Sequence, residues 1–181
     1  MLSYNDLVMM VEDGVIDAPI ENINGASIDV RLDKIILIER PSRYEEIRMV
    51  NLSKKESLTM DSYDIGKEGF YLLHPGQFIL ASTIEVFNLP DNIQCSFHLK
   101  SSIARAGLNH LFAGYCDPGW NNSKLTLELK NDTQYHIHVL TPGMKIGQME
   151  FNMVKSVPKD KSYSTIGRYN NTMSTTGSRG V

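Results

Sequence analysis

The chain is poor in cysteine. Cys95 and Cys116 are the only two in 181 residues, each alone inside an apolar segment. That spacing argues against a disulfide framework or a metal knuckle, and buried thiols are the expectation. Of the five histidines, His74, His98, His110, His136 and His138, only the last two fall close together. On a strand they share a face and meet one geometric condition for a metal, but no third ligand accompanies them, so two surface histidines on an edge strand are expected. No apolar run is long enough to cross a bilayer, and the start, Met1 to Asp6, lacks a basic region followed by an apolar stretch. No membrane partner and a cytoplasmic location are expected. No Lys/Arg run forms a polyanion-binding stripe and the net charge is −3, which argues against a protein that coats nucleic acid but leaves a single nucleotide as a compatible ligand.

Helix signals are nearly as scarce. Ser3 to Asp13 reads as one short amphipathic helix, with Ser3 or Asn5 as cap, Leu2, Leu7, Met10 and Val11 as its apolar stripe and Gly14 as terminator. Beyond it the chain consists of short apolar or alternating segments: 28–32, 35–38, 70–73, 78–81, 94–99, 125–129, 137–140 and 147–151. Turn residues separate them, among them His74-Pro75-Gly76, Leu89-Pro90-Asp91-Asn92, Asp117-Pro118-Gly119 and Thr141-Pro142-Gly143. This is an all-β pattern, a sandwich or barrel in a single domain without internal repeats. Glu39 to Asp64 is polar and charge-rich and reads as an insertion, with room for an irregular strand, of little functional consequence. From Pro158 the composition turns to Ser, Thr, Asn, Gly and Lys, with Tyr163, Arg168, Tyr169 and Arg179 the only aromatic or charged groups after Lys161. Alone, such a tail cannot bury enough apolar surface to fold. Its tyrosines and arginines suit closure over a nucleotide, and a disordered terminus is the plainer reading.

The densest cluster of chemistry is Lys100-Ser101-Ser102-Ile103-Ala104-Arg105-Ala106-Gly107. Two hydroxyls and two cations closed by a glycine suit a short helical turn whose free N–H groups face an anion. An ordinary helix cap explains the same serines. Downstream stand Asp117-Pro118-Gly119-Trp120 and Leu127-Glu128-Leu129.

Together with Asn24-Gly25-Ala26-Ser27-Ile28-Asp29-Val30-Arg31-Leu32, Leu73-His74-Pro75-Gly76 and Pro142-Gly143-Met144-Lys145-Ile146-Gly147-Gln148, these motifs resemble, in order and over most of the chain, the dCTP deaminases of the trimeric dUTPase superfamily. The resemblance implies a distorted β-barrel or jelly-roll of the dUTPase-like type at 1–157 and a flexible lid tail at 158–181. It also implies a homotrimer with interfacial active sites. By position, Glu128 is similar to the family's general base, which activates water against cytosine C4 without a catalytic zinc. Ser101 and Arg105 match residues that place this water and stabilise the adduct, and the Ala113 carbonyl matches the acceptor for the leaving amine. Lys100, Ser101 and Ser102 fall at the triphosphate, Asp117 at the sugar 3′-hydroxyl, and Trp120, Thr126, Leu127, Gln148, Tyr163, Arg168 and Thr172 at further substrate contacts. Mg²⁺ is implied as a companion of the triphosphate, with no metal held by a protein motif. A zinc deaminase instead needs His-x-Glu followed by Pro-Cys-x-x-Cys, which this sequence lacks.

Alternation places Thr126, Glu128 and Lys130 on one outward face, a position a neighbouring subunit is expected to cover. The segment Leu108 to Cys116 is one residue shorter than the usual family segment, and Phe112 replaces a usual threonine beside Ala113. The resemblance places Phe112, Gly114 and Tyr115 in a loop that shapes the base pocket, and its shortening opens room for 5-methyl-dCTP. The expected reaction is dCTP to dUTP and ammonia. The pair Gly114-Tyr115, with Gln148, also resembles the bifunctional branch that carries dCTP on to dUMP. A dUTPase without deaminase activity and a non-enzymatic nucleotide-binding regulator complete the alternatives.

Overall fold

A computed structural model describes residues 1–41, 47–111 and 113–180. Its first element, α1 (Tyr4–Glu12), opens where the Asp6 carboxylate accepts the Ser3 N–H at 2.9 Å, and Gly14 follows it at φ +72°. Leu7 and Met10 bury the apolar stripe. The remaining architecture is β. A four-stranded sheet runs β1 (Ile28–Arg31), β11 (Lys145–Met153), β6 (Ile93–Leu99), β8 (Tyr115–Cys116). A five-stranded sheet runs β3 (Met60–Asp64), β2 (Ile35–Glu39), β5 (Phe78–Ser82), β9 (Thr126–Asn131), β7 (Leu108–His110). A two-stranded ribbon joins β10 (His138–Leu140) to β4 (Tyr71–Leu73). Short helical turns α2 (Ile65–Glu68), α3 (Ser101–Arg105) and α4 (Tyr163–Ile166) complete the chain.

The all-β expectation holds, with one correction: the strands form three sheets that do not close into a barrel. The polar segment before Asp64 contains the strand for which its reading left room. Its end is β3, paired with β2 from Ile35↔Asp64 to Glu39↔Met60. As an edge strand with no fully buried residue, β3 has no need of the apolar alternation by which inner strands are read. Residues 42–46 of the same segment lie outside the described residues.

Alternation along β9 decides which side chains reach the core. Leu127 and Leu129 are fully buried, whereas Thr126, Glu128 and Lys130 stand on the other face. Across from them on β5, Ile79 and Ala81 enter the core, and Leu80 lies directly opposite Glu128. Full burial of each of these large aliphatic side chains contributes about 1.5–3 kcal/mol. Both cysteines are buried and free, paired in register across β6 and β8. His136 is exposed, and His138 on β10 meets the Ala106 carbonyl through Nε2 at 2.8 Å. Among the described residues no helix is long and apolar enough to cross a membrane.

Candidate active site

A cavity of about 520 Å³ opens on the outward face of β9. Glu128 and Thr126 form its floor, with Ala113, Tyr115, Asp117 and Trp120 to one side. Tyr163, Tyr169 and Thr172 of the tail close it. Of the residues carried over from the family, Ala113, Tyr115, Asp117, Trp120, Thr126, Glu128, Tyr163 and Thr172 thus meet around one space. A second group does not line it: Lys100, Ser101, Ser102, Arg105 and Gln148. Leu127 points into the core, and Gly114 borders a neighbouring cavity of about 620 Å³ together with Tyr115. Phe112 lies outside the described residues.

The turn into the cavity is set by Asp117-Pro118-Gly119. Gly119 has φ +85°, and a Cβ there would collide with the Ser162 hydroxyl, so glycine is required both by the backbone and by the close approach of the tail. The next residue, Trp120, is 5% exposed and stacks on Phe87 at 5.1 Å between ring centroids. Gly114 is constrained by close approach alone, since a Cβ would stand 2.8 Å from Phe97 Cβ and 3.1 Å from its carbonyl oxygen.

The tail lies against its own chain through polar contacts, as its composition dictates. The Trp120 indole N–H donates to the Tyr169 carbonyl at 3.1 Å, the Lys124 N–H to the Thr172 carbonyl at 2.8 Å, and the Thr175 hydroxyl to the Ile35 carbonyl at 2.5 Å. Burial pushes the Tyr163 phenol up from its ordinary pKa, and the nearby Asp117 charge adds to the rise. Arg168 donates to the Gly180 carbonyl at 2.5 Å, and Arg179 lies over the Tyr169 ring at 5.2 Å.

The helical turn predicted at the serine cluster is present as α3, with Ser101, Ser102 and Arg105 exposed. Lys100, at its N-terminus, pairs with Asp29 at 2.8 Å. Asp29 also meets Lys145 at 3.1 Å and the Asn24 amide at 3.0 Å. Burial raises the Asp29 pKa, but these three donors outweigh it and hold the carboxyl below its ordinary value.

Sequence reasoning missed several residues of the cavity. Leu58, Met60, Phe78 and Leu80 add apolar side chains to the lining, Leu80 directly across from Glu128, and Lys124, paired with Asp33 at 2.7 Å, brings a cation to it. Only cross-strand register could have placed Leu80 there, and the sequence gives that register no explicit mark. His110 was likewise passed over as an isolated histidine. It is buried against Phe97, 4.6 Å between ring centroids, with Nε2 3.3 Å from Glu128 Oε2. The two atoms are not aligned as a hydrogen bond, and both are buried without a partner among the described residues.

Comparison with known proteins identifies the family. The sequence signature described as dCTP deaminase-like matches residues 1–154. The chain belongs to this family. A "dCTP deaminase, dUMP-forming" of Mycobacterium tuberculosis is 39% identical over 153 residues, covering 82% of this chain and 78% of that protein. A protein of the same description from Corynebacterium glutamicum is 39% identical over 146 residues, covering 80% and 74%. Among solved structures, 2′-deoxycytidine 5′-triphosphate deaminase from Agrobacterium tumefaciens matches with a TM-score of 0.65 at 18% identity. That match covers 84% of this chain and 48% of the other, so it speaks to the fold, and this chain spans about half that protein's length.

Proposed function

We propose that this member of the dCTP deaminase-like family deaminates dCTP and then hydrolyses the triphosphate to dUMP. In the first step Glu128 takes a proton from water as the oxygen attacks cytosine C4 and delivers it to N3, where it stays. It then takes the proton of the new C4 hydroxyl and delivers it to the departing amine, leaving the C4 carbonyl of dUTP and ammonia. A second water attacks the triphosphate, releasing dUMP and diphosphate. The observation that carries the reading is the convergence of Glu128, Ala113 and Asp117 on one cavity of about 520 Å³, a size suited to a small-molecule ligand. Relatives at 39% identity that bear the name dCTP deaminase, dUMP-forming support dUMP over the dUTP expected as the final product. The decisive variant is Glu128→Gln. It is expected to lower deamination by about 10²–10⁴, the worth of a positioned acid–base group, while dCTP binding persists; unchanged deamination removes Glu128 from the role.

We assign Lys100, Ser101, Ser102, Arg105 and Gln148 to the triphosphate and water side of a site completed by a neighbouring copy in a homotrimer. Their absence from the cavity lining of a single chain supports that division. Among the described residues no group of three His, Cys, Asp or Glu side chains could hold a metal ion. Mg²⁺ in this reading enters with the phosphates, whose charge it offsets. Leu80 stands directly across from Glu128 on β5, Leu58, Met60 and Phe78 add apolar surface to the same cavity, and C5 of the base is one bond from the carbon under attack. An apolar group at C5 therefore has a surface to rest on, which favours turnover of 5-methyl-dCTP beside dCTP. Parallel assays decide this: failure to convert the methylated nucleotide rejects it.

A further inference from the structure

His110 has no part in the chemistry above, and its burial is not that of a satisfied core histidine. Its side chain is 5% exposed, its Nε2 is without a hydrogen-bond partner among the described residues, and Glu128 Oε2, 3.3 Å away, is in the same state. A possible donor and an acceptor, both desolvated and adjoining, form an arrangement that proteins rarely keep without a use for it. The contact also has a defined place. Glu128 lines the cavity of about 520 Å³ and His110 the neighbouring one of about 620 Å³, so the pair spans the partition between them. Backbone register and one ring contact set the place of the imidazole. In the β7–β9 register His110 lies opposite Leu129, next to Glu128, and Phe97 packs on the ring at an interplanar angle of 57°.

We infer that His110 is a positioning residue for Glu128. Its Nε2–H donates to Glu128 Oε2 once nucleotide fills the cavity, leaving Oε1 turned toward the attacking water. The inference rests on the reading of Glu128 as the base. A carboxylate that takes a proton from water and returns it to the base must keep one oxygen on the reacting side throughout. With Oε2 unheld, rotation about the terminal bond exchanges the two oxygens; a donor fixed behind Oε2 removes that freedom. The donation serves the carboxylate before proton uptake and the carboxylic acid after it. No proton is transferred to or from His110.

The test is steady-state kinetics with dCTP on the full chain for His110→Leu, His110→Gln and His110→Asn, with Glu128→Gln measured alongside. His110→Leu is expected to lower kcat about ten- to a hundredfold, the worth of one hydrogen bond to a charged group, with KM nearly unchanged. Glutamine places its amide nitrogen about where the imidazole Nε2 stands and is expected to restore most of kcat, whereas the shorter asparagine is not. Wild-type kcat in His110→Leu overturns the inference, as does equal activity of the Gln and Asn variants. If the Leu variant does not fold, the contrast between Gln and Asn decides alone. If Glu128→Gln still deaminates dCTP, the reading of Glu128 fails and this inference falls with it. A dead Glu128→Gln beside an unimpaired His110→Leu overturns the inference and leaves the reading standing.

Discussion

The Trp120 indole N–H donates to the Tyr169 carbonyl at 3.1 Å, and so ties the cavity wall to the tail that closes it. Trp120 is the single tryptophan of the chain and is 5% exposed. Truncation after Lys161 removes Tyr169 and uncovers the indole, so tryptophan emission is expected to shift to the red. The same truncation removes Tyr163, Tyr169 and Thr172 from the cavity lining and is expected to weaken dCTP binding. Unchanged emission would place the tail elsewhere in solution, and unchanged affinity would deny it the part of a lid.

Two glycines with nearly the same backbone separate strain from collision. Gly119 and Gly143 have φ of +85° and +82°, but a Cβ meets the Ser162 hydroxyl only at Gly119, with nothing within 4 Å at Gly143. Alanine at either position costs about 1–2 kcal/mol for the left-handed conformation. At Gly119 it must also displace the start of the tail. Thermal melts should therefore rank Gly119→Ala below Gly143→Ala, and only Gly119→Ala should weaken dCTP binding. Equal melting temperatures and affinities would mean that the Ser162 contact is not made.

Asp29 gives the fold a pH dependence whose sign follows from its partners. Its folded pKa lies below the ordinary value because the Lys100, Asn24 and Lys145 donors outweigh burial. A carboxyl depressed in the fold contributes stability above its unfolded pKa and loses that contribution as pH falls through the folded value. Asp29→Asn should therefore cost about 1–3 kcal/mol in urea melts at pH 7, a range discounted for the partial exposure of both lysines. The gap between variant and wild type should narrow below about pH 4, where the unfolded carboxyl begins to protonate. A difference that does not change with pH would show that the carboxylate charge is not what Asp29 contributes.

What could be read from the sequence was whatever local rules enforce. The inner strands carry apolar alternation, and the Pro-Gly corners fix positive φ at Gly76, Gly119 and Gly143; both features are visible residue by residue. Glu128 was legible through its motif, and its outward placement through the alternation of β9. Hidden were the contributions that depend on pairing between distant segments. Leu80 reaches Glu128 only through the β5–β9 register, and Met60 enters the cavity wall from an edge strand whose sequence is polar. His110 shares no motif with Glu128 and meets it only where β7 closes on β9. The tail's hydroxyls and amides were visible as composition, but their partners, the Ile35 carbonyl and the Ser82 hydroxyl among them, exist only once the sheets are assembled.

The most direct measurement is chromatographic identification of what the purified protein makes from dCTP with Mg²⁺ present. The account predicts ammonia, diphosphate and dUMP as the end products. Accumulation of dUTP as the only nucleotide product would contradict the second hydrolytic step, and the absence of any turnover would contradict the assignment of Glu128 and its cavity to deamination.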